Sequence, residues 1–203
     1  SIFKGITAAI GLDVDEIGLY DTYYDKGELQ VGDYFISNVS SACLWTNTFL
    51  HALQFSCNIG MIHIIQKIGQ PIFYNYLEKF GFGKKTGIEI AGEIPGSIPN
   101  SQNKEKSRFF NNSFGQGLLV TPIQMAMSYR PIVNGGYVVS PTIIKKITYH
   151  DGKVKHPTKP TKQLTLKAGV SELMKMALYE VVNGGQIKKF SIVWKSLAGK
   201  TGT

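Results

Sequence analysis

Apolar residues recur at helical spacing along much of the chain, and this periodicity predicts its helices. The predicted helices cover residues 1–11, 40–54, 58–69, 71–81, 121–129 and 166–185. Glycine is the predicted stop of several of them, at Gly11, Gly69, Gly81 and the pair Gly184-Gly185. The apolar face of the last helix consists of Val170, Leu173, Met174, Ala177, Leu178 and Val181.

One helix start is marked clearly by the sequence TPIQ. Thr121 is a capping residue, Pro122 suits the first helical position, and Gln124 completes a capping box. The pair Arg130-Pro131 is predicted to end or kink this helix, because proline lacks the amide hydrogen that a helix interior needs.

Strand signals are shorter and fall between the helices. Two β-rich runs around Asp151-Gly152 predict a hairpin, and residues 12–38 read as loops with short strands. Residues 187–203 are predicted as a strand separated by a bend from the final AGKTGT. Because helices and strands are grouped in blocks, the pattern indicates an α+β fold. The 203 residues, 43% of them hydrophobic, suffice for one domain with its own core.

Charge and cysteine content exclude some classes of function. The formal net charge is +8, but the lysines are scattered without regularly interleaved aromatic residues. This favours a solvated surface over a nucleic-acid interface. No C-x-x-C or H-E-x-x-H pattern occurs, so we expect neither a metal site nor a cofactor. The two cysteines, Cys43 and Cys57, are as compatible with buried thiols as with a disulfide.

The last residues, AGKTGT, partly match a phosphate-binding loop. Such a loop needs a glycine five positions before Gly199, and the chain has Trp194 there. A large indole cannot form the tight turn around a phosphate, so a nucleotide site is disfavoured.

The first residues, SIFK, supply a different partner for the final lysine. A serine becomes a nucleophile when a neighbouring base removes its proton, and Ser1 and Lys4 share one helix face. Lys4 can accept that proton only if burial or a second cation destabilises its ammonium group. Lys200 meets that requirement in principle. The stretch Ser56-Cys57-Asn58, between two apolar helices, is either a cap or a third element of the site.

Each motif occurs twice, so context has to select between the copies. The stretch SQNK at residues 101–104 is polar and predicted to be a surface loop, whereas Ser1 opens an apolar helix. The second K-T-G begins at Lys85 in a glycine-rich turn. Lys200 instead follows a predicted strand, whose edge can align a peptide backbone. The predicted site therefore combines Ser1, Ser56 and Lys200.

With these motifs in this order, the chain resembles the transpeptidase domain of a class B penicillin-binding protein. The combination of S-x-x-K, S-x-N and K-T-G elements is known from penicillin-binding proteins and class A β-lactamases. The stretches FSCNIGMIHIIQKIG, YLEKFGFGKKTGIEIAGEIPGSIP, SFGQGLLVTPIQMAMSY and VNGGYVVSP also carry the resemblance. SFGQGLLVTP is more similar to the division-type or sporulation-type branch. The implied fold is a penicillin-binding protein or serine β-lactamase-like α+β domain, an antiparallel sheet with a helical subdomain.

The resemblance implies a serine-type D,D-transpeptidase that cross-links peptidoglycan. Ser1 attacks the carbonyl between two terminal D-alanines of a stem peptide, with Lys4 as its base. Ser56 relays a proton to the leaving nitrogen. Asn58 holds the substrate amide and steadies Lys4. An amine from a neighbouring strand then resolves the acyl-enzyme.

The K-T-G element is implied to bind the substrate carboxylate. Lys200 supplies positive potential, the hydroxyls of Thr201 and Thr203 meet the carboxylate, and Gly202 leaves room for the backbone. The amides of Ser1 and Thr203 form the oxyanion hole.

The resemblance also implies partners and a location. Expected ligands are stem peptides ending in D-Ala-D-Ala, β-lactams as inhibitors, and a cell-wall glycosyltransferase of the division or elongation machinery. We expect the domain on the extracytoplasmic face of the cytoplasmic membrane. We further expect residues 1–203 to be a fragment that lacks a preceding anchor and following strands, and that is inactive and poorly folded when expressed alone.

Other functions remain as alternatives. A serine β-lactamase uses the same site but hydrolyses its acyl-enzyme rapidly, and a β-lactam sensor binds without catalysing cross-links. An N-terminal-serine hydrolase would use the amine of Ser1 as its base, but this leaves Ser56, Asn58 and Lys200 unexplained.

Overall fold

The computed structural model describes residues 1–99, 105–156, 160–185 and 195–202. The helices are α1 (Lys4–Asp13), α2 (Phe49–Gln54), α3 (Asn58–Ile68), α4 (Gln70–Lys79), α5 (Lys106–Asn112), α6 (Pro122–Ser128), α7 (Arg130–Val133) and α8 (Ala168–Gly184). The strands are β1 (Thr22–Asp25), β2 (Glu28–Val31), β3 (Tyr34–Ser37), β4 (Trp45–Thr48), β5 (Tyr137–Val139), β6 (Ile147–Thr148), β7 (Val154–Lys155) and β8 (Lys162–Leu164).

The described strands form antiparallel pairs. β1 pairs with β4 so that Thr22 lies opposite Thr48, and β2 pairs with β3 as a hairpin. β5 pairs with β8, and β6 with β7 as the predicted hairpin around Asp151-Gly152. Helices and strands lie in separate blocks, as predicted, and the α+β class is confirmed. The predicted strand over residues 187–194 lies outside the described residues, and residues 196–202 are not in a strand.

The core is built around α1, in which every residue is buried. Apart from Lys4, Thr7 and Asp13, its residues are glycine, alanine, isoleucine and leucine, and a helix of this composition packs in the interior of a fold. α1 contacts α2, α3, α4 and α8, and α2 contacts α8 in turn. Because the predicted site begins at the first turn of α1, the most buried helix of the chain also carries its chemistry.

Several predicted helix boundaries are confirmed. α3 begins at Asn58 and ends before Gly69, and α6 begins with the capping box of Thr121 and Gln124. The chain leaves α6 after Ser128 and starts the short α7 at Arg130, as the Arg130-Pro131 pair predicts. On α8 the predicted apolar face is buried except for Leu173, which is 43% exposed.

The predicted stop at Gly11 is wrong, because α1 continues to Asp13. A Cβ atom at Gly11 would lie 2.8 Å from the Cγ2 atom of Ile64 in α3 and 2.9 Å from the Cγ1 atom of Ile17. The glycine therefore permits close packing of α1 against α3 instead of ending the helix.

The predicted helix over residues 40–54 is wrong in its first part and confirmed in its second. Its first part is a 3-10 turn (Ser41–Cys43) followed by β4, and only Phe49–Gln54 is helical. The residues of β4 are suited to a strand, and the pairing with β1 stabilises that choice. Thr48 then caps α2 by accepting a hydrogen bond from the amide of His51 at 3.1 Å.

The question that the sequence leaves open about the cysteines is answered by a disulfide between Cys43 and Cys57. Both residues are fully buried. The bond joins the turn before β4 to the residue before α3, so it ties the Ser56-Cys57-Asn58 stretch to the core.

We expect Gly11→Ala to lower the free energy of unfolding by about 1–2 kcal/mol, because overpacking between α1 and α3 outweighs the gain in helix propensity. Gly169→Ala in α8 is the matched control, since no atom lies within 4 Å of a Cβ added there. It should stabilise by about 0.5–1 kcal/mol. Urea denaturation of both variants tests this, and equal effects would contradict the packing explanation.

Removing the disulfide with Cys43→Ala/Cys57→Ala should cost about 2–4 kcal/mol of unfolding free energy, because the bond closes a loop with a sequence separation of 14. Denaturation with and without reductant measures this cost. Reductant should destabilise only the unsubstituted protein, and insensitivity of that protein to reductant would show that the bond contributes little.

Candidate active site

The candidate active site forms around the first turn of α1, where Lys4 is only 2% exposed. The amide of Lys4 donates to the carbonyl oxygen of Ser1 at 3.1 Å, which places the serine one turn before the helix. The Nζ atom of Lys4 donates to both the carbonyl oxygen and, at 2.9 Å, the hydroxyl of Ser56. Lys4 of the S-x-x-K motif is thus hydrogen-bonded to Ser56, which is distant in sequence and lies between α2 and α3.

Ser56 is the common partner of the predicted site residues. It lies between α2 and α3 with a φ of 61°, a left-handed conformation that non-glycine residues rarely adopt. Its hydroxyl donates to the Oγ atom of Ser1 at 3.3 Å. The same oxygen accepts hydrogen bonds from Lys4 and, at 3.1 Å, from Lys200. One donor and two acceptor positions of this hydroxyl are therefore all used in this arrangement.

Lys200 reaches this cluster from the end of the chain. Its segment is attached to α8 through the amide of Gly199, which donates to the carbonyl oxygen of Leu178 at 3.0 Å. Lys200 also donates to the Oγ1 atom of Thr201 at 2.8 Å. A Cβ atom on Gly202 would lie 3.2 Å from the side chain of Ile2, so the segment passes close to the residue after Ser1. The predicted site residue Thr203 lies outside the described residues.

Burial lowers the pKa of both lysines. The pKa of Lys4 falls from 10.5 to about 7, first because burial disfavours the charged form and second because Lys200 is nearby. Burial also lowers the pKa of Lys200 to about 8. Among the described residues, the ion pairs lie at the surface and include neither lysine. Lys4 can therefore be neutral near pH 7 and accept a proton.

Asn58 lies beside this cluster but contacts a different partner from the one predicted. Its Nδ2 atom donates to the carbonyl oxygen of Ser37 in β3 at 2.8 Å. In this structure Ser56 accepts the hydrogen bonds that hold the side chain of Lys4. Ser56 therefore has the role of steadying Lys4 that was predicted for Asn58. The predicted hydrogen bond from Asn58 to a substrate amide stays a prediction.

Two further residues support the site without a sequence signal that could have identified them. The hydroxyl of Tyr129 donates to the carbonyl oxygen of Ile2 at 2.6 Å and so holds the turn that carries Ser1. A Cβ atom on Gly5 would lie 2.7 Å from that hydroxyl, so this glycine makes the approach possible. The ring of Phe114 lies 6.0 Å from the Nζ atom of Lys4 and contributes to its apolar surroundings.

Residues of the second K-T-G copy form hydrogen bonds within their own turn. The Glu93 carboxylate accepts hydrogen bonds from the amide and the hydroxyl of Thr86, at 2.7 and 2.5 Å, and from the amide of Gly87 at 3.0 Å. This copy therefore shapes its own turn, as the sequence context predicts for Lys85. The other decoy, residues 101–104, lies outside the described residues.

A cavity of about 480 Å³ lies beside the cluster, with Asn58 and Phe114 on one wall and Phe35 of the β2–β3 hairpin on another. A larger cavity of about 560 Å³ lies at the second K-T-G copy and is lined by Lys85. We assign the smaller one to the active site because it is lined by Asn58 of the S-x-N element and by Phe114, whose ring lies 6.0 Å from the Nζ atom of Lys4. In the described part of the chain no group of three or more His, Cys, Asp or Glu residues could hold a metal ion.

Comparison with known proteins identifies a family. A family model described as the penicillin binding protein transpeptidase domain matches residues 1–203. Stage V sporulation protein D of Bacillus subtilis is 32% identical over 208 residues, covering 100% of this chain and 32% of that protein. A peptidoglycan D,D-transpeptidase FtsI homolog of Mesostigma viride is 30% identical over 229 residues, covering 100% of this chain and 38% of that protein. The chain spans about a third of the length of these relatives.

Solved structures extend the similarity to the fold. Penicillin-binding protein 3 of Mycobacterium tuberculosis, complexed with aztreonam, matches with a TM-score of 0.84 and 27% identity, covering 90% of this chain and 41% of that chain. A peptidoglycan glycosyltransferase structure from Atopobium parvulum matches with a TM-score of 0.89 and 27% identity, covering 98% of this chain and 46% of that chain.

The lowered pKa of Lys4 is directly measurable by NMR titration of its side chain. We expect a pKa of about 7 in the unsubstituted protein. In Lys200→Gln the pKa should rise, because one of the two causes of the shift is removed, but stay below the ordinary 10.5 because burial remains. Lys175→Gln, which removes a surface lysine paired with Glu172, is the control and should change nothing. An unshifted Lys4 in the unsubstituted protein would contradict the interpretation.

Proposed function

Because the chain belongs to the penicillin-binding protein transpeptidase domain family, we propose that it catalyses serine acyl transfer on peptidoglycan stem peptides as a D,D-transpeptidase. The observation that carries the proposal is the hydrogen-bonded cluster of Ser1, Lys4, Ser56 and Lys200. A hydroxyl nucleophile, a lysine able to lose its proton and a second cation are the groups that acylation of serine by a peptide needs.

In the proposed acylation step, the Oγ atom of Ser1 attacks the carbonyl carbon of the penultimate D-alanine. The proton of Ser1 passes to neutral Lys4, either directly or through the Ser56 hydroxyl that contacts both groups. The bond to the terminal D-alanine breaks, and Ser56 delivers a proton to its leaving nitrogen while Lys4 returns to Ser56 the proton that it accepted from Ser1, so that Lys4 is neutral again. An acyl ester on Ser1 and free D-alanine are the products.

The second step reverses these proton transfers. The amine of a neighbouring stem peptide attacks the ester, and Lys4 accepts the proton that the amine loses. The new amide bond forms as the oxygen of Ser1 leaves and regains a proton through Ser56. A neutral lysine is needed at the start of each step, so a pKa near 7 suits both.

The final segment is proposed to bind the substrate carboxylate. Lys200 is half-buried and cationic below its pKa of about 8, and Thr201 places a hydroxyl beside it. Gly202 is proposed to leave room for the substrate backbone. The hydroxyl of Thr203 is a further proposed contact of the carboxylate, and the amides of Ser1 and Thr203 are the proposed oxyanion donors. Removal of one such donor typically costs about 3–4 kcal/mol of transition-state stabilisation.

Ligands, a partner and a location are also part of the proposal. Structures titled as penicillin-binding protein 3 of Mycobacterium tuberculosis contain aztreonam or ampicillin, which supports β-lactams as inhibitors of this chain. A role in division or sporulation is supported by the names of the relatives. A cell-wall glycosyltransferase as partner stays a prediction. We place the domain on the extracytoplasmic face of the cytoplasmic membrane. None of the helices in the described ranges is both long and apolar enough to cross a bilayer.

A fluorescent penicillin tests the proposal in the purified full-length protein, because residues 1–203 alone are expected to be inactive. Labelling should be lost in Ser1→Ala, and should slow by about 10²–10⁴-fold in Lys4→Ala because general-base catalysis is removed. Ser41→Ala, at an exposed serine, is the control and should label normally. Persistent labelling of Ser1→Ala would place the nucleophile elsewhere.

The lifetime of the label separates the proposed transferase from a serine β-lactamase. We expect the acyl-enzyme to persist after excess penicillin is removed, because a transpeptidase site is built to admit an amine instead of water. Rapid release of hydrolysed penicillin with many turnovers would instead identify a β-lactamase.

A further inference from the structure

The start of α3 is capped by a residue from elsewhere in the chain. Cys57 occupies the N-cap position but makes no capping hydrogen bond, and its sulfur is bonded to Cys43. The amide of Ile59 donates instead to the Oδ1 atom of Asn38 at 3.1 Å. An asparagine just after β3 thus satisfies one of the amide groups that every helix start leaves open.

A second contact runs beside the first. The side-chain amide of Asn58 donates to the carbonyl oxygen of Ser37 at 2.8 Å. Ser37, the last residue of β3, and Asn38, which follows it, therefore hold the first two residues of α3. Ser56 lies just before this turn in a left-handed conformation, with a φ of 61°. Its hydroxyl position depends on the turn being held, because a strained backbone persists only when its surroundings fix it.

Asn38 is fixed in turn by a buried carboxylate. Its Nδ2 atom donates to both carboxylate oxygens of Asp25, at 2.9 and 3.0 Å. Asp25 is fully buried and also accepts a hydrogen bond from the amide of Gly27 at 2.7 Å. The backbone amide of Asn38 donates to the carbonyl oxygen of Gly27 at 2.8 Å. Hydrogen bonds to a buried charge are strong. The side-chain amide of Asn38 therefore has one orientation, with its Nδ2 atom toward Asp25 and its Oδ1 atom toward α3.

We propose that Asn38, oriented by Asp25, is a positioning residue for acyl transfer that sets the Ser56 hydroxyl against Ser1, Lys4 and Lys200. The inference rests on the function proposed above and adds a residue that touches neither substrate nor the reacting atoms. It acts through Ile59 and the first turn of α3. Ser56 has to satisfy three partners at once, so a small shift of this turn breaks the proton path.

The test is the rate of penicillin acylation, separated by stopped flow into an initial dissociation constant and an acylation rate constant. In Asn38→Ala the rate constant should fall by about tenfold or more, since misplacing a catalytic group by about 1 Å can cost 10²-fold. The dissociation constant should change by less than about threefold, because Lys200 and Thr201 are untouched. Asn134→Ala is the matched control: it removes an exposed asparagine that hydrogen-bonds to Tyr137 far from Ser56, and should react normally.

A charge swap tests the contact itself and does not depend on Asn38→Ala folding. Asn38→Asp alone places two carboxylates against each other and should slow acylation. Combining it with Asp25→Asn lets the amide at position 25 donate to the carboxylate at position 38, which still accepts from Ile59. We expect this double variant to recover the acylation rate constant to within about threefold of the unsubstituted protein, as a double-mutant cycle measures.

Several outcomes would overturn the proposal. One is an unchanged acylation rate constant in Asn38→Ala. Another is a loss of acylation in Asn38→Ala that is fully explained by the fraction of that variant that is unfolded. A double variant that folds but stays as slow as Asn38→Asp would also overturn it. If the unsubstituted protein is not acylated at all, the proposed function fails. If it is acylated and Asn38→Ala reacts equally fast, only the positioning role fails.

Discussion

The structure depends on holding two lysine side chains, without a carboxylate partner among the described residues, against a single serine hydroxyl. A fall in the pKa of Lys4 from 10.5 to about 7 corresponds to roughly 5 kcal/mol against its charged form. That penalty is comparable with the net stability of a whole domain, so only a well-packed core can sustain it. The fully buried α1, which begins at Lys4, meets this requirement.

The parts of the fold that look unrelated to chemistry act on the same cluster. Tyr129 holds the turn that carries Ser1, while the disulfide of Cys57 and the contacts of Asn38 hold the turn that carries Ser56. The segment of Lys200 is attached to α8. The three regions that carry Ser1, Ser56 and Lys200 thus converge, and each is held by contacts of its own. These contacts keep the flexible lysine side chains in one geometry.

The sequence predicted the elements whose signals are local. Helix α3 and the capping box of α6 follow from spacing and flanking residues. The choice of Ser1 over the copy at residues 101–104 stays a prediction, because that copy lies outside the described residues. What it missed depends on neighbours in space. Gly11 reads as a helix stop because its contact with Ile64 is invisible in sequence, and β4 reads as helix because its pairing with β1 is not local. Asn38 carries no motif, since its meaning comes from Asp25 and Ile59.

The dependence of acylation on pH tests most directly whether Lys4 acts as a neutral base created by burial beside Lys200. The measurement is the second-order rate constant of penicillin acylation between pH 5 and pH 10. Loss of the proton from Lys4 should raise it through a pKa of about 7, and loss of the Lys200 charge should lower it through a pKa of about 8. A rate that is independent of pH across this range, or that rises only toward the ordinary lysine pKa of 10.5, would contradict this explanation.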